Sequence, residues 1–339
     1  MSGVELKPGP GLYDELCAQG VPPDKARLWA SAGGAQILHL AAHDGNFLWE
    51  VHRRGTKQLC IIDFFGHDLP QIQALMRQEI KRARALGATL VKARLPDSAL
   101  TGLGFSKMVL PVDGDAVSTT YPEQPLPQIE WLEHVPLRAA PRYQNQRTPF
   151  TCGPACLLMG TDVGDSFACE IDVWRDATYG IGTDPYGLGA ALAMRAIPTE
   201  IWVSQPGLLL HEQGSGSFTE GASREAIHAH NLGRAVEAGA SVRIEPFTVA
   251  DIRTYVAEHG PVALLIDEQI LNAETAAHWI LVWAVTADAV IVHDPWIDSE
   301  LGETWIETST MPVSDDELQA MAVWGVDHVM AMVTVGTRS

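Results

Sequence analysis

The sequence predicts an α+β protein of two domains, and three observations carry that prediction. A chain of 339 residues is longer than one hydrophobic core usually organises. Its N-terminal third alternates short apolar strand patterns with one long helical period, an α/β order. Past a proline-rich stretch come a helix that opens on a cysteine and, far downstream, an apolar hairpin. The stretch Asp113 to Pro141 has prolines at 122, 125, 127, 136 and 141 and little periodicity, as a linker would. The expected division is therefore a first domain at 1–115, a linker at 116–140 and a second domain at 141–339.

In the first domain, Gln36 to Leu40, Asn46 to Val51 and Gln58 to Asp63 read as strands. Leu69 to Leu86 has helical periodicity, with Ile72, Leu75, Met76, Ile80 and Ala83 on one face and Asp68 placed to cap it. Thr89 to Ala93 and Phe105 to Leu110 follow as strands, the latter after the turn Leu103-Gly104-Phe105. The basic residues Arg77, Lys81, Arg82 and Arg84 read as the solvated side of the helix. Trp131 suggests that the end of the linker packs on the second domain.

The second domain opens with Gln146-Arg-Thr-Pro-Phe-Thr-Cys152-Gly153-Pro154-Ala155-Cys156. Thr151 suits an N-cap, Pro154 a first helical turn, and Ala155 to Met159 are good helix formers. A thiol at a helix N-terminus meets the positive end of the macrodipole and unpaired N–H groups, which favour the reactive thiolate. The Cys152 N–H and the Gln146 side-chain amide can then meet a developing oxyanion. Further on, Trp279 to Val285 and Ala289 to Val292 read as a hairpin about Thr286. That turn sets His278 opposite Asp294, sixteen residues later. The carboxylate would hold one ring nitrogen while the other faces the thiol.

This order of glutamine, cysteine, histidine and aspartate resembles the papain-like cysteine peptidases that process bacteriocin precursors at double-glycine leaders. The glutamine six residues before the cysteine, and the aspartate sixteen after the histidine, match that pattern. The segments Trp174 to Ala177, Asp184 to Leu188, His278-Trp279 and His293 to Pro295 look closer to a soluble branch, in which an acetyltransferase-like domain precedes the peptidase-like one. The resemblance implies catalytic roles for Cys152, His278, Asp294 and Gln146. The first domain's strand–helix–strand–turn–strand order is similar to the acetyl-CoA-dependent GNAT superfamily. Its pyrophosphate loop, however, reads Asp63-Phe64-Phe65-Gly66-His67-Asp68. One glycine and two carboxylates suit an anion poorly, so a degenerate, non-acetylating domain is expected and no cofactor is assigned.

The remaining chemistry bounds the function. Five cysteines, at 17, 60, 152, 156 and 169, form no paired framework and suit a reducing compartment. Cys156 is expected to be packed rather than metal-bound, and His293 to point away from Asp294 as a structural residue. Residues 131–339 hold 10 Lys+Arg against 28 Asp+Glu and no lysine. That balance argues against nucleic acid or an anionic membrane and suits a cationic peptide or amine. No apolar run would span a bilayer and Met1 to Lys7 lacks a signal-peptide core, so the cytoplasm is expected. Trp279 and Trp296 flank the histidine and aspartate and are expected as walls of a substrate cleft. The glycines at 207, 214, 216, 221 and 233 suggest a mobile border to that cleft over Pro206 to Ala235.

These residues support a cysteine peptidase or amidase working through an acyl-enzyme on a peptide or small amide. The alternative is an acyltransferase or amide synthase that passes the same acyl group to an amine. A pseudoenzyme that only binds leader peptides is disfavoured, because all four positions are filled. The chain leaves open a homodimer.

Overall fold

The computed structural model describes residues 2–7, 9–30, 36–108, 128–132, 140–161, 163–180, 182–210, 218–298 and 303–336. The chain forms two compact units. One comprises residues 1–110, 114–136 and 297–314, the other 111–113, 137–296 and 315–339.

The first unit begins with β1 (Ser2–Leu6), α1 (Leu12–Ala18) and α2 (Pro23–Ala30). There follow β2 (Gln36–His43), β3 (Asn46–Arg53), β4 (Gln58–Phe65), α3 (Leu69–Ala85) and β5 (Leu90–Ala93). The N-terminal portion closes with α4 (Asp97–Leu100), β6 (Ser106–Lys107) and β7 (Gln128–Trp131). The sheet order is β1-β2-β3-β4-β5-β7-β6. Only the β4–β5 pairing is parallel among the described strands of this sheet. A parallel pair needs a crossover, and α3 supplies it. Asp68 caps α3 by accepting from the Gln71 N–H at 3.3 Å. Ile72, Leu75, Met76, Ile80 and Ala83 are buried against Leu59, Ile61 and Val91. The other sheet face packs Leu12, Leu16 and Trp29 on Trp49, Cys60 and Ile62, with the two indoles stacked at 5.4 Å.

Two expectations for this unit are corrected. The 116–140 segment contains a strand: β7 pairs with both β5 and β6. Its four-residue alternation between prolines is too short to register as a period. The other parts of that segment, residues 116–127 and 133–139, and the Trp131 side chain lie outside the described residues. Residues 297–314 cluster with the first unit, and the second unit resumes at Asp315 and runs to Ser339. Arg82 is half-buried rather than standing free on the helix surface, and it pairs with the buried carboxylates of Glu50 and Glu79.

The second unit starts at α5 (Cys152–Gly160) and α6 (Phe167–Ala177), then the two-residue strands β8 (Thr178–Tyr179) and β9 (Gly182–Thr183). Next come α7 (Pro185–Ala193), β10 (Glu200–Val203), α8 (Phe218–Glu237), β11 (Ser241–Ile244) and α9 (Val249–Glu258). β12 (Val262–Asp267), α10 (Gln269–Asn272), β13 (Ala277–Val285) and β14 (Val290–His293) lead to the hairpin. The excursion into the first unit holds α11 (Trp305–Thr308) and β15 (Met311–Val313). The chain then returns through α12 (Asp315–Met321) to β16 (Ala331–Thr334). Within this unit the strands lie in the order β11-β10-β16-β12-β13-β14. All neighbours are antiparallel except β10 and β11. α5 is buried from Cys152 to Met159, as a helix apolar all round must be. The expected mobile border is largely helix: α8 covers Phe218–Glu237, and residues 211–217 lie outside the described set. Two glycines within it cost too little to break a run such as Arg224-Glu-Ala-Ile-His-Ala-His230.

Asp184 caps α7 by accepting from the Gly187 N–H at 2.6 Å and from Asn231 at 3.1 Å. Burial pushes its carboxyl up to about 7, despite those donors. The folded state keeps this proton where the unfolded chain has released it, so stability falls as pH rises from the ordinary aspartate range to about 7. Asp184→Asn keeps the capping oxygen and removes the buried charge. Its melting temperature should exceed wild type at about pH 8 and converge with it near pH 4, the gain reaching at most roughly 4 kcal/mol.

Candidate active site

The loop before α5 is braced by a residue that the sequence reading did not single out. Thr151 precedes the helix but makes no side-chain cap. Its hydroxyl instead meets Thr148 Oγ1 at 3.0 Å and donates to Glu170 at 2.5 Å. Glu170, on α6 and fully buried, also accepts from the Arg147 N–H at 2.9 Å and from Gln144 at 3.4 Å. An N-cap oxygen would accept from the first N–H groups of the helix; here the hydroxyl is turned to donate to a buried carboxylate, a charge-assisted bond, and the cap is not made. One signal was available: Glu170 lies on the apolar spacing of Val173 and Ala177, where an acid needs donors.

Gln146 is 7% exposed and ties this loop in two directions. Its amide donates to the Thr148 carbonyl at 2.8 Å, and its backbone N–H donates to Pro295 O at 2.8 Å. The side-chain NH₂ has a second N–H beyond that bond. Cys152 is 7% exposed, and its Sγ has no hydrogen-bond partner among the described residues. Next to it, Gly153 permits a close approach: a Cβ there would lie 2.5 Å from Thr183 Oγ1 and 2.9 Å from Leu188 Cδ1. Gly153→Ala is therefore expected to cost about 1–3 kcal/mol in thermal unfolding and to displace the thiol. A variant with unchanged melting temperature and kcat would refute this.

The hairpin brings the histidine and aspartate together through a register different from the expected one. Leu281 pairs with His293 and Val282 with Val292, two residues out of the predicted alignment, and a bulge follows before Ala284. Asp294 sits just beyond the end of β14, and its Oδ1 lies 2.7 Å from His278 Nε2. The same oxygen accepts from the Trp296 N–H at 2.9 Å. The Tyr143 hydroxyl donates to the Asp294 carbonyl at 2.9 Å.

The second ring nitrogen faces an unexpected group. His278 Nδ1 lies 2.9 Å from Glu268 Oε1, so the position expected for the thiol is held by a carboxylate. Ile266 pairs with His278 across β12 and β13, and Glu268 lies two residues on, where alternation returns it to the same face. Sequence order alone hides this contact, because it depends on β12 pairing with β13. Burial by itself would lower the imidazolium's pKa. The charges of Glu268 and Asp294, with Cys152 nearby, outweigh it and hold His278 well above the ordinary histidine value.

The other expected residues have packing environments. Trp279 is 2% exposed and donates to the Thr183 carbonyl at 3.2 Å, whereas Trp296 is half-buried. His293 faces the Pro141 carbonyl at 3.1 Å and stacks on Trp283. Cys156 donates to the Trp279 carbonyl at 3.4 Å, and burial pushes its thiol well up. In the first unit, His39, Glu50 and Glu79 have metal-ligand spacing, but Arg82 already pairs with both carboxylates. Among the described residues no helix is long and apolar enough to cross a membrane.

The second unit thus sets a buried cysteine at the start of a helix and a buried histidine on a strand of its sheet. Residues 141–336 match the Peptidase_C39 like family, and over that majority of its length the chain belongs to it. No curated protein matches the chain.

Proposed function

We propose that the second unit is a cysteine peptidase or amidase with Cys152 as nucleophile, His278 as base and Asp294 as its orienter. The observation that carries this reading is the 2.7 Å contact between His278 Nε2 and Asp294 Oδ1, in a unit whose helix α5 opens on Cys152. The thiol proton passes to His278 and the sulfur forms a bond to the amide carbon. The oxyanion is met by the Cys152 N–H and the spare N–H of Gln146. Collapse of the tetrahedral adduct breaks the C–N bond as the imidazolium protonates the departing amine. Water, deprotonated by the same histidine, then releases the acid and restores the thiol. A precursor peptide cut after small residues is the substrate that the resemblance to leader peptidases suggests. The first unit, with Asp63 committed to Lys25 at 2.7 Å, is read as a degenerate acetyltransferase-like domain serving recognition.

The test is incubation with a mixed peptide library plus simple amines, with Cys152→Ala alongside, read by mass. Shortened peptides made only by the wild type support hydrolysis. Amine adducts would instead mean acyl transfer, and full activity in Cys152→Ala would sink the assignment.

A further inference from the structure

We propose that Glu268 is the specificity residue of this site, the receptor for a cationic group next to the scissile bond, and that it holds His278 until such a group draws it away. The inference rests on the peptidase reading and deepens it. Three observations support it.

The first is the geometry of His278. With Nε2 on Asp294 and Nδ1 at 2.9 Å from Glu268, both ring nitrogens are engaged by carboxylates. Cys152 Sγ, meanwhile, has no hydrogen-bond partner among the described residues. Thiol activation and amine protonation both need Nδ1, so turnover requires Glu268 to leave it. Its backbone need not move: the Glu268 N–H is bonded to Ala276 O at 3.0 Å and its carbonyl accepts from Asn272 N–H at 2.8 Å. Side-chain rotation is enough to exchange partners.

The second is charge. One imidazole stands against two carboxylates: the net charge is about −1 with the ring protonated and about −2 with it neutral and ready for the thiol proton, a transfer that leaves the total unchanged. His278 is the one ionic partner of Glu268 among the described residues. A buried carboxylate in excess over its cations is costly, and an incoming cation would relieve that cost. Residues 131–339, with 28 acids, 10 arginines and no lysine, would steer such a group inward.

The third is access. The Glu268 side chain is 12% exposed, against 3% for His278 and 0% for Asp294. It is the carboxylate of the pair that an incoming group can reach. A guanidinium or ammonium would offer it several N–H donors, more than the single one of Nδ1, so the exchange is favourable where the two compete. The ligand class is thus an amide or peptide with an arginine- or lysine-like group flanking the cleaved bond.

Alkylation of Cys152 by iodoacetamide, quantified by peptide mass in the full-length protein, tests this without turnover. The probe is N-acetyl-arginine amide, with the citrulline amide as its neutral isostere. The wild-type rate at Cys152 is expected to rise about tenfold with the arginine compound and to stay flat with citrulline. Glu268→Gln should react faster than wild type without any probe and should no longer respond. Glu268→Ala, checked for an unchanged thermal transition, guards against a folding artefact in the first variant. Equal effects of arginine and citrulline compounds, or a response surviving in both variants, would overturn the proposal while leaving the nucleophile intact. If Cys152 reacts no faster than the partly exposed Cys17 and Cys169 in every variant, the thiolate reading itself fails and the proposal with it.

Discussion

His278→Ala is expected to lower kcat/KM for amide cleavage by about a million-fold, whereas Asp294→Asn should cost roughly ten-thousand-fold. The difference follows from what each change removes. Alanine at 278 deletes the proton acceptor and donor of both half-reactions, and leaves Asp294, 0% exposed, without its ring partner. Asparagine at 294 keeps an oxygen able to accept from His278 and from the Trp296 N–H at 2.9 Å, so the ring stays oriented. What it loses is the charge that, together with Glu268, holds the His278 pKa well above its ordinary value. Steady-state kinetics on a cleaved peptide, with circular dichroism to verify folding, would measure both. The assignment would not survive a His278→Ala enzyme that keeps a tenth of its activity, nor an Asp294→Asn loss exceeding that of His278→Ala.

The fragment 1–136 is expected not to fold cooperatively by itself, because the first unit is completed by residues 297–314. Lys92, 0% exposed on β5, donates to the carbonyls of Ile306, at 2.6 Å, and Ser309. Gln58 on β4 donates to Glu307 O at 2.8 Å, and the Lys57 N–H to Pro312 O at 2.7 Å. Arg53 lies 3.4 Å from Glu303. The segment also brings Trp305, Ile306, Met311 and Val313, all buried. At about 1.5–3 kcal/mol per buried side chain, these four contribute roughly 6–12 kcal/mol, as much as a domain's whole net stability. Lys92 shows the dependence most directly. Burial pulls its ammonium down to about 8, a penalty tolerated only while two carbonyls receive it. Thermal unfolding of 1–136, with and without a synthetic peptide covering 297–314, would decide. A sharp transition in 1–136 alone would refute the prediction, and recovery of one on adding the peptide would support it.

How much of this was legible depends on the range of each interaction. The core face of α3 and its Asp68 cap could be read because helical period and capping are local, written within four residues of each other. The helix opening on Cys152 is local in the same sense, though Thr151 gave its hydroxyl to Glu170 rather than to the helix. The pairing of His278 with Asp294 was legible because a hairpin turns sequence distance into spatial distance, even with the register two residues out. Strand β7 was missed because four residues between prolines carry too little period, and α8 because its glycines outweighed a helical run.

The sequence by itself determined the local elements and the identities of the reactive groups: a cysteine opening a helix, a histidine and an aspartate either side of a turn, and an acidic second half. Only the tertiary structure decided that Glu268 faces the histidine, that Glu170 braces the loop before the nucleophile, and that residues 297–314 return to the first unit. These contacts join strands and helices distant in the chain. Which partners meet there is set by packing the whole core at once, and no local pattern records it.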